Sequence, residues 1–209
     1  MSETMDIAVT TELAIFSVQD GALRVLLETG ATDGLPKAPF PGDADLDRFA
    51  AALLSRLTGF DGVYIEQLYS FGRRSQNTAM TGVTVAYFAL IPPAVSSTVR
   101  SGLYWQPLNE NWHLPNEQRE VLELATQRLR DKLGYSSIAL PLMPEEFTLG
   151  HLQEVYEIIG GEALDKRNFR KRILSLAYVE ETGRQRRNGS HRPAMLYRAR
   201  NPGRVEILR

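Results

Sequence analysis

The stretch Asp165-Lys166-Arg167-Asn168-Phe169-Arg170-Lys171-Arg172 decides how this chain is read. Asp165 is placed to cap a helix over 166–176, with Phe169, Ile173 and Leu176 on its inner side. Arg167 and Arg170 lie three apart and Arg167 and Lys171 four apart, so they share a face roughly opposite Phe169. A helix that reads DNA needs that combination: an apolar side to hold it and basic or amide donors near its N-terminal end, where base edges come within reach. Asn168 suits adenine and Arg167 or Arg170 suits guanine, an assignment one sequence leaves open.

Working outward, Thr148 caps an earlier helix through Leu149, Leu152, Val155, Tyr156 and Ile159, and Gly160-Gly161 ends it. Beyond the basic helix, short strands are expected at 177–182 and 194–200. They are joined by the loop Gly183-Arg184-Gln185-Arg186-Arg187-Asn188-Gly189-Ser190-His191-Arg192-Pro193. Helix, turn, helix and a hairpin with a basic tip make a winged helix-turn-helix. Its expected DNA contacts are Lys166, Arg167, Asn168, Arg170 and Lys171 on the helix. Arg184, Arg186, Arg187, His191 and Arg192 in the wing suit phosphate or the minor groove.

Charge supports this division. The net charge of −1 averages two unlike parts, because residues 163–209 carry thirteen Lys and Arg against four Asp and Glu. The remaining residues hold eleven basic side chains against twenty-one acidic ones. The basic part is interleaved with residues able to build a core, unlike a solvated tail. Cysteine is absent, which excludes disulfides and thiolate chemistry and is compatible with the cytoplasm expected here. No apolar run approaches the roughly twenty residues of a membrane span.

The first part reads as a mixed sheet with two helices. Residues 6–30 give two strands around Asp20-Gly21, and the Pro- and Gly-rich 33–45 is expected as a loop. Asp45 caps a helix over 46–57 that ends at Gly59. Strands at 63–69 and 83–90 flank a polar loop, Arg73–Asn77, and a short strand near Leu103–Trp105 precedes a helix at 116–133. The fold class is therefore α+β, divided at 1–140 and 141–209.

Six blocks in order make the chain resemble the Nudix-related transcriptional regulators called NrtR. They are Val63–Gly72, Val85–Leu90, Tyr135–Ala139, Pro144–Leu149, Leu164–Lys171 and His191–Tyr197. The resemblance implies a Nudix-like domain followed by a winged helix, a homodimer on a palindromic operator, and a small-molecule effector. That effector is ADP-ribose in one branch of the family and a sugar in another.

The Nudix motif that holds catalytic metal is degenerate. Aligned on Gly59-Phe60, it reads Ala52-Leu53-Leu54-Ser55-Arg56-Leu57-Thr58, with Arg56 and Leu57 in place of the paired glutamates and Ala44 near the upstream one. Hard cations need several oxygen ligands, so no catalytic residue, metal or cofactor is expected. The alternative is a Nudix hydrolase of ADP-ribose-like nucleotides. His113, His151 and His191 lack metal-ligand spacing. Ala79, Met80 and Thr81 stand where many members carry basic residues. Arg73 and Arg74 either meet an effector phosphate or are an exposed pair that needs no ligand.

Overall fold

Asp20 and Gly21 both take positive φ, 50° and 73°, as a two-residue hairpin turn twisted to suit its strands requires. The chain reverses there from β1 (Ala8–Gln19) to β2 (Ala22–Glu28). The structure is a computed structural model that describes residues 7–74, 81–94, 99–109, 113–187 and 193–208. Around this hairpin β3 (Lys37–Pro39), β4 (Tyr64–Arg74), β5 (Thr81–Leu90) and β6 (Leu103–Pro107) complete a six-stranded sheet. Its order is β4-β5-β1-β2-β6, with β3 also paired to β1. β1 and β5 run parallel and the other pairs antiparallel.

Both sheet faces are covered, which is why the central strands read as apolar runs. Along β1, Leu13 and Ile15 point to one face and Ala14 and Phe16 to the other, the period of two that a strand imposes. Helix α1 (Leu46–Thr58) lays Leu53, Leu54 and Leu57 on the first face. Helix α2 (Asn116–Leu133) lays Val121, Leu122, Ala125 and Leu129 on the second. Asp45 caps α1, its Oδ1 accepting from Arg48 N at 3.0 Å, and Gly59 ends it at φ 75°.

After a 3-10 turn at Leu140–Leu142 come α3 (Leu149–Gly160), α4 (Lys166–Ser175) and the antiparallel pair β7 (Val179–Arg186) and β8 (Ala194–Ala199). Phe147 pairs with Tyr197 through two backbone hydrogen bonds of 2.9 and 2.8 Å, a single bridge beside the two-stranded wing. The core of α3 and α4 is continuous with that beneath α2.

Three expectations change. The stretch 33–45 contains β3, because Lys37–Pro39 find β1 as a partner. Arg73 and Arg74 end β4 rather than opening a loop. Backbone pairing with Gly82 and Thr81 carries the ladder past the polar side chains, and residues 75–80 lie outside the described residues. Arg184 and Arg186 stand on β7 and not in the wing loop, because the strand continues through a bulge at Gly183, φ 73°. His191 and Arg192 lie outside the described residues, as does Trp112. No described helix is long and apolar enough to cross a membrane.

Leu57 is 6% exposed whereas Arg56, its neighbour, is exposed. Leu57→Glu buries an unpaired carboxylate and is expected to cost about 2 kcal/mol or more. Arg56→Glu, at a helix end that favours cations, should cost within about 1 kcal/mol. Thermal melting of the two variants checks the contrast.

Candidate nucleic-acid interface and sensing domain

Two side chains of α3 fix the turn into α4. Glu157 Oε1 accepts from Leu164 N at 2.9 Å and from Gln153 Nε2 at 2.9 Å, while Gln153 Nε2 also donates to Leu164 O at 2.8 Å. These bonds hold the Glu157 carboxyl below its ordinary range, the Leu164 N–H contributing most. Asp165 then caps α4, its Oδ1 accepting from Asn168 N at 2.8 Å.

Phe169 and Ile173 are buried, and Phe169 meets Tyr156 edge-on with ring centroids 5.2 Å apart. That anchoring sets the rotation of the helix. Lys166, Arg167, Asn168, Arg170 and Lys171 are consequently all exposed. Arg172 differs: its Nη2 donates to Leu133 O at 3.2 Å and Gly134 O at 2.7 Å, tying α4 to the end of α2. The sequence presents Arg172 as one more basic residue, and its carbonyl partners lie 38 and 39 positions away.

The wing sits beside this face. Burial raises the Tyr197 hydroxyl, Glu181, which accepts its hydrogen bond at 3.1 Å, raises it further, and Arg170 opposes both. Arg170 is thus within electrostatic reach of β8. Arg184 Nη1 donates to both oxygens of Glu146, at 3.1 and 3.0 Å, just ahead of α3. Arg186 and Arg187 are exposed, and among the described residues neither has an ion-pair partner.

In the sheet domain Arg56 is exposed and Leu53 and Leu57 are buried. Asp47 accepts from the Tyr87 hydroxyl at 2.7 Å. Among the described residues no cluster of three His, Asp or Glu is arranged to hold a metal ion. A cavity of about 270 Å³ opens where β1 and β5 begin, lined by Thr10, Glu12, Lys37, Gly82, Thr84 and Gln118. Glu12 is only 4% exposed and accepts from Gln118 Nε2 at 2.7 Å. Gly82 is the register partner of Arg73, which puts the backbone of Arg73 beside this opening. Glu12 was not singled out from sequence; a carboxylate inside the apolar run of β1 is the signal that could have found it.

Fold and surface together define a winged-helix protein built on a Nudix-like sheet domain. A family model described as the NrtR DNA-binding winged helix domain matches residues 139–199. The chain is 35% identical over 204 residues to the ADPR responsive transcriptional repressor NtrR of Acinetobacter baylyi, covering 90% of this chain and 80% of that one. The crystal structure of Shewanella oneidensis NrtR complexed with a 27mer DNA superposes with a TM-score of 0.84 at 29% identity, covering 92% and 93% of the two chains. The NUDIX domain of Shewanella oneidensis NrtR complexed with ADP ribose matches at a TM-score of 0.50 and 27% identity, over 59% of this chain and 89% of that one. The chain belongs to the NrtR family.

The Glu157 carboxylate stabilises the turn more while ionised than while protonated. That extra stabilisation is complete above the ordinary glutamate range and is lost as pH falls through its lowered folded value. Glu157→Gln keeps an acceptor for Leu164 N but cannot titrate. Its melting temperature should therefore fall less than the parent's between neutral and acidic pH, measured by circular dichroism.

Proposed function

We propose that this protein is a sequence-specific DNA-binding repressor whose Nudix-like domain senses a small molecule. The observation that carries this is the exposure of Lys166, Arg167, Asn168, Arg170 and Lys171 on a helix fixed by Phe169 and Ile173. Residues 1–140 serve as the sensing unit and 141–209 as the DNA-binding unit. Helix α4 enters the major groove and reads bases, and Arg186 and Arg187 position the wing on the backbone. Arg184 exchanges Glu146 for a phosphate, and His191 and Arg192 are further DNA contacts.

The effector is ADP-ribose, supported by the names of the Acinetobacter relative and the Shewanella complex. Arg73 and Arg74, ending β4 beside the cavity that holds Glu12 and Lys37, meet its pyrophosphate. The protein senses this nucleotide without hydrolysing it, because Leu53, Arg56 and Leu57 occupy carboxylate positions of the Nudix motif. It acts as a homodimer on a palindromic operator. β4 is an edge strand of the sheet and exposes Tyr69, a surface suited to a second copy. Light scattering that gave only a monomer at operator-saturating concentrations would remove this part.

Reading and positioning separate by mutation. Arg167→Ala or Arg170→Ala should cost about 1–3 kcal/mol on the cognate operator and blur the preference at one position per half-site. Arg186→Ala or Arg187→Ala should weaken cognate and scrambled DNA alike and reduce the salt slope by roughly one per lost contact. Mobility shifts on single-base operator variants over a salt series check both. Relaxed base preference in the wing mutants alone would make the wing the reading element.

Arg172→Ala removes the tie between α4 and the end of α2. The variant should bind operator, yet ADP-ribose should change that binding less than in the parent. Full ADP-ribose response in the variant would show that the signal travels by another route.

A further inference from the structure

A second cavity, of about 440 Å³, lies between the two parts of the molecule and not in the sensing domain alone. Its volume falls within the range of small-ligand sites. Val63, just ahead of β4, and Leu90, at the end of β5, form one wall. Met143 and Phe147, from the segment between the 3-10 turn and α3, form the floor. Met143 is 5% exposed and Phe147 1%, so this floor is apolar and fixed. The segment Arg198–Arg204, leaving β8, forms the remaining wall. That wall closes tightly on the sheet domain, since a Cβ added at Gly203 would stand 2.9 Å from Gly62 O.

Charge around the mouth is asymmetric. Arg198, Arg200 and Arg204 line it against Glu145 and Glu180. Arg198 and Glu180 satisfy each other at 2.6 Å. Arg200 and Arg204 are exposed, and among the described residues neither side chain has a hydrogen-bond or ion-pair partner. An apolar lining that shares its cavity with two unpaired arginines suits one ligand chemistry: an aliphatic or aromatic body carrying one anionic group, which the arginines can bind by charge-assisted hydrogen bonds.

We propose that this interdomain cavity binds a small amphiphilic anion, at a site separate from the opening beside Glu12. Its walls come from the sheet, the connecting segment and the wing, so an occupant bears directly on how the two units sit together. The site stands on its own residues and holds whether or not ADP-ribose is the effector of the sensing domain.

The probe is anilinonaphthalene sulfonate, a fused aromatic body with one sulfonate, titrated into the full chain and followed by fluorescence. Saturable binding of one dye per chain is expected. The double variant Arg200→Glu/Arg204→Glu should weaken it by about tenfold or more, as expected for lost charged hydrogen bonds. The control double variant Arg48→Glu/Arg119→Glu, of equal charge change on α1 and α2 outside the cavity, should leave it unchanged. Met143→Trp, which fills the floor, should abolish it. No saturable binding to the parent chain, or equal weakening by the two double variants, would overturn the proposal. Should Met143→Trp melt below the assay temperature, photolabelling of the parent chain with a diazirine-bearing medium-chain carboxylate decides instead. Adducts within residues 140–147 or 198–204 support the site, and adducts confined to other regions overturn it.

Discussion

The last turns of α2 hold the molecule together. Helix ends leave carbonyls without partners, and here Arg172, from the helix proposed to read DNA, donates to those of Leu133 and Gly134. Arg130 works in the other direction, its Nε donating to Ile159 O at the end of α3 at 3.1 Å. Lys132 turns inward to Glu66 and Tyr64 on β4, and Arg128 adds a second cation to Glu66 at 3.2 Å. Burial pushes the Glu66 carboxyl up, but hydrogen bonds from Lys132 and Tyr64 and the charges of Lys132 and Arg128 outweigh it and hold it low. Burial and the neighbouring carboxylate push the Tyr64 hydroxyl up.

Sheet, α3 and α4 are therefore tied by polar contacts at one helix end. The contacts from Glu66 through Lys132 to Leu133 and on to Arg172 are contiguous, and the apolar cluster beneath them is equally unbroken. Interdigitated cores change by discrete repacking and not by smooth deformation. β4 and α4 therefore belong to one packed body, which is the arrangement that coupling between the proposed sensing sheet and the proposed reading helix requires. This is the physical content of combining a sensing sheet and a winged helix in one chain.

Much of this was legible along the sequence where its cause is local. Thr148, Asp45 and Asp165 cap their helices because capping joins residues three apart, and the spacing of Phe169 and Ile173 fixes the outward face of α4. The degenerate Nudix motif is legible for the same reason, as a contiguous pattern. What escaped depends on partners remote in the chain. β3 forms because Lys37–Pro39 meet Thr10–Glu12, and β4 reaches Arg74 because Thr81 and Gly82 continue the ladder. Arg184 and Arg172 look like free cations in the sequence, yet Glu146 and two helix carbonyls engage them. The Glu12–Gln118 bond, 106 positions apart, has no local trace except a carboxylate in an apolar strand.

The segment after β8 crosses back over the junction. Ser137 N donates to Glu206 O at 2.9 Å, Glu206 N donates to Ser137 Oγ at 2.8 Å, and Leu208 N donates to Tyr135 O at 2.8 Å. Loop closure over 69 positions is costly in entropy and slow compared with local pairing. During vectorial synthesis the ties from α2 to α3 and α4 are available before the strap, which adds its three bonds only after residues 206–208 have left the ribosome. The winged helix is in this sense not a detachable bead on a string. The strap is a last buckle on parts already joined, and a nascent chain halted before it would hold its DNA-facing helix by the α2 contacts alone.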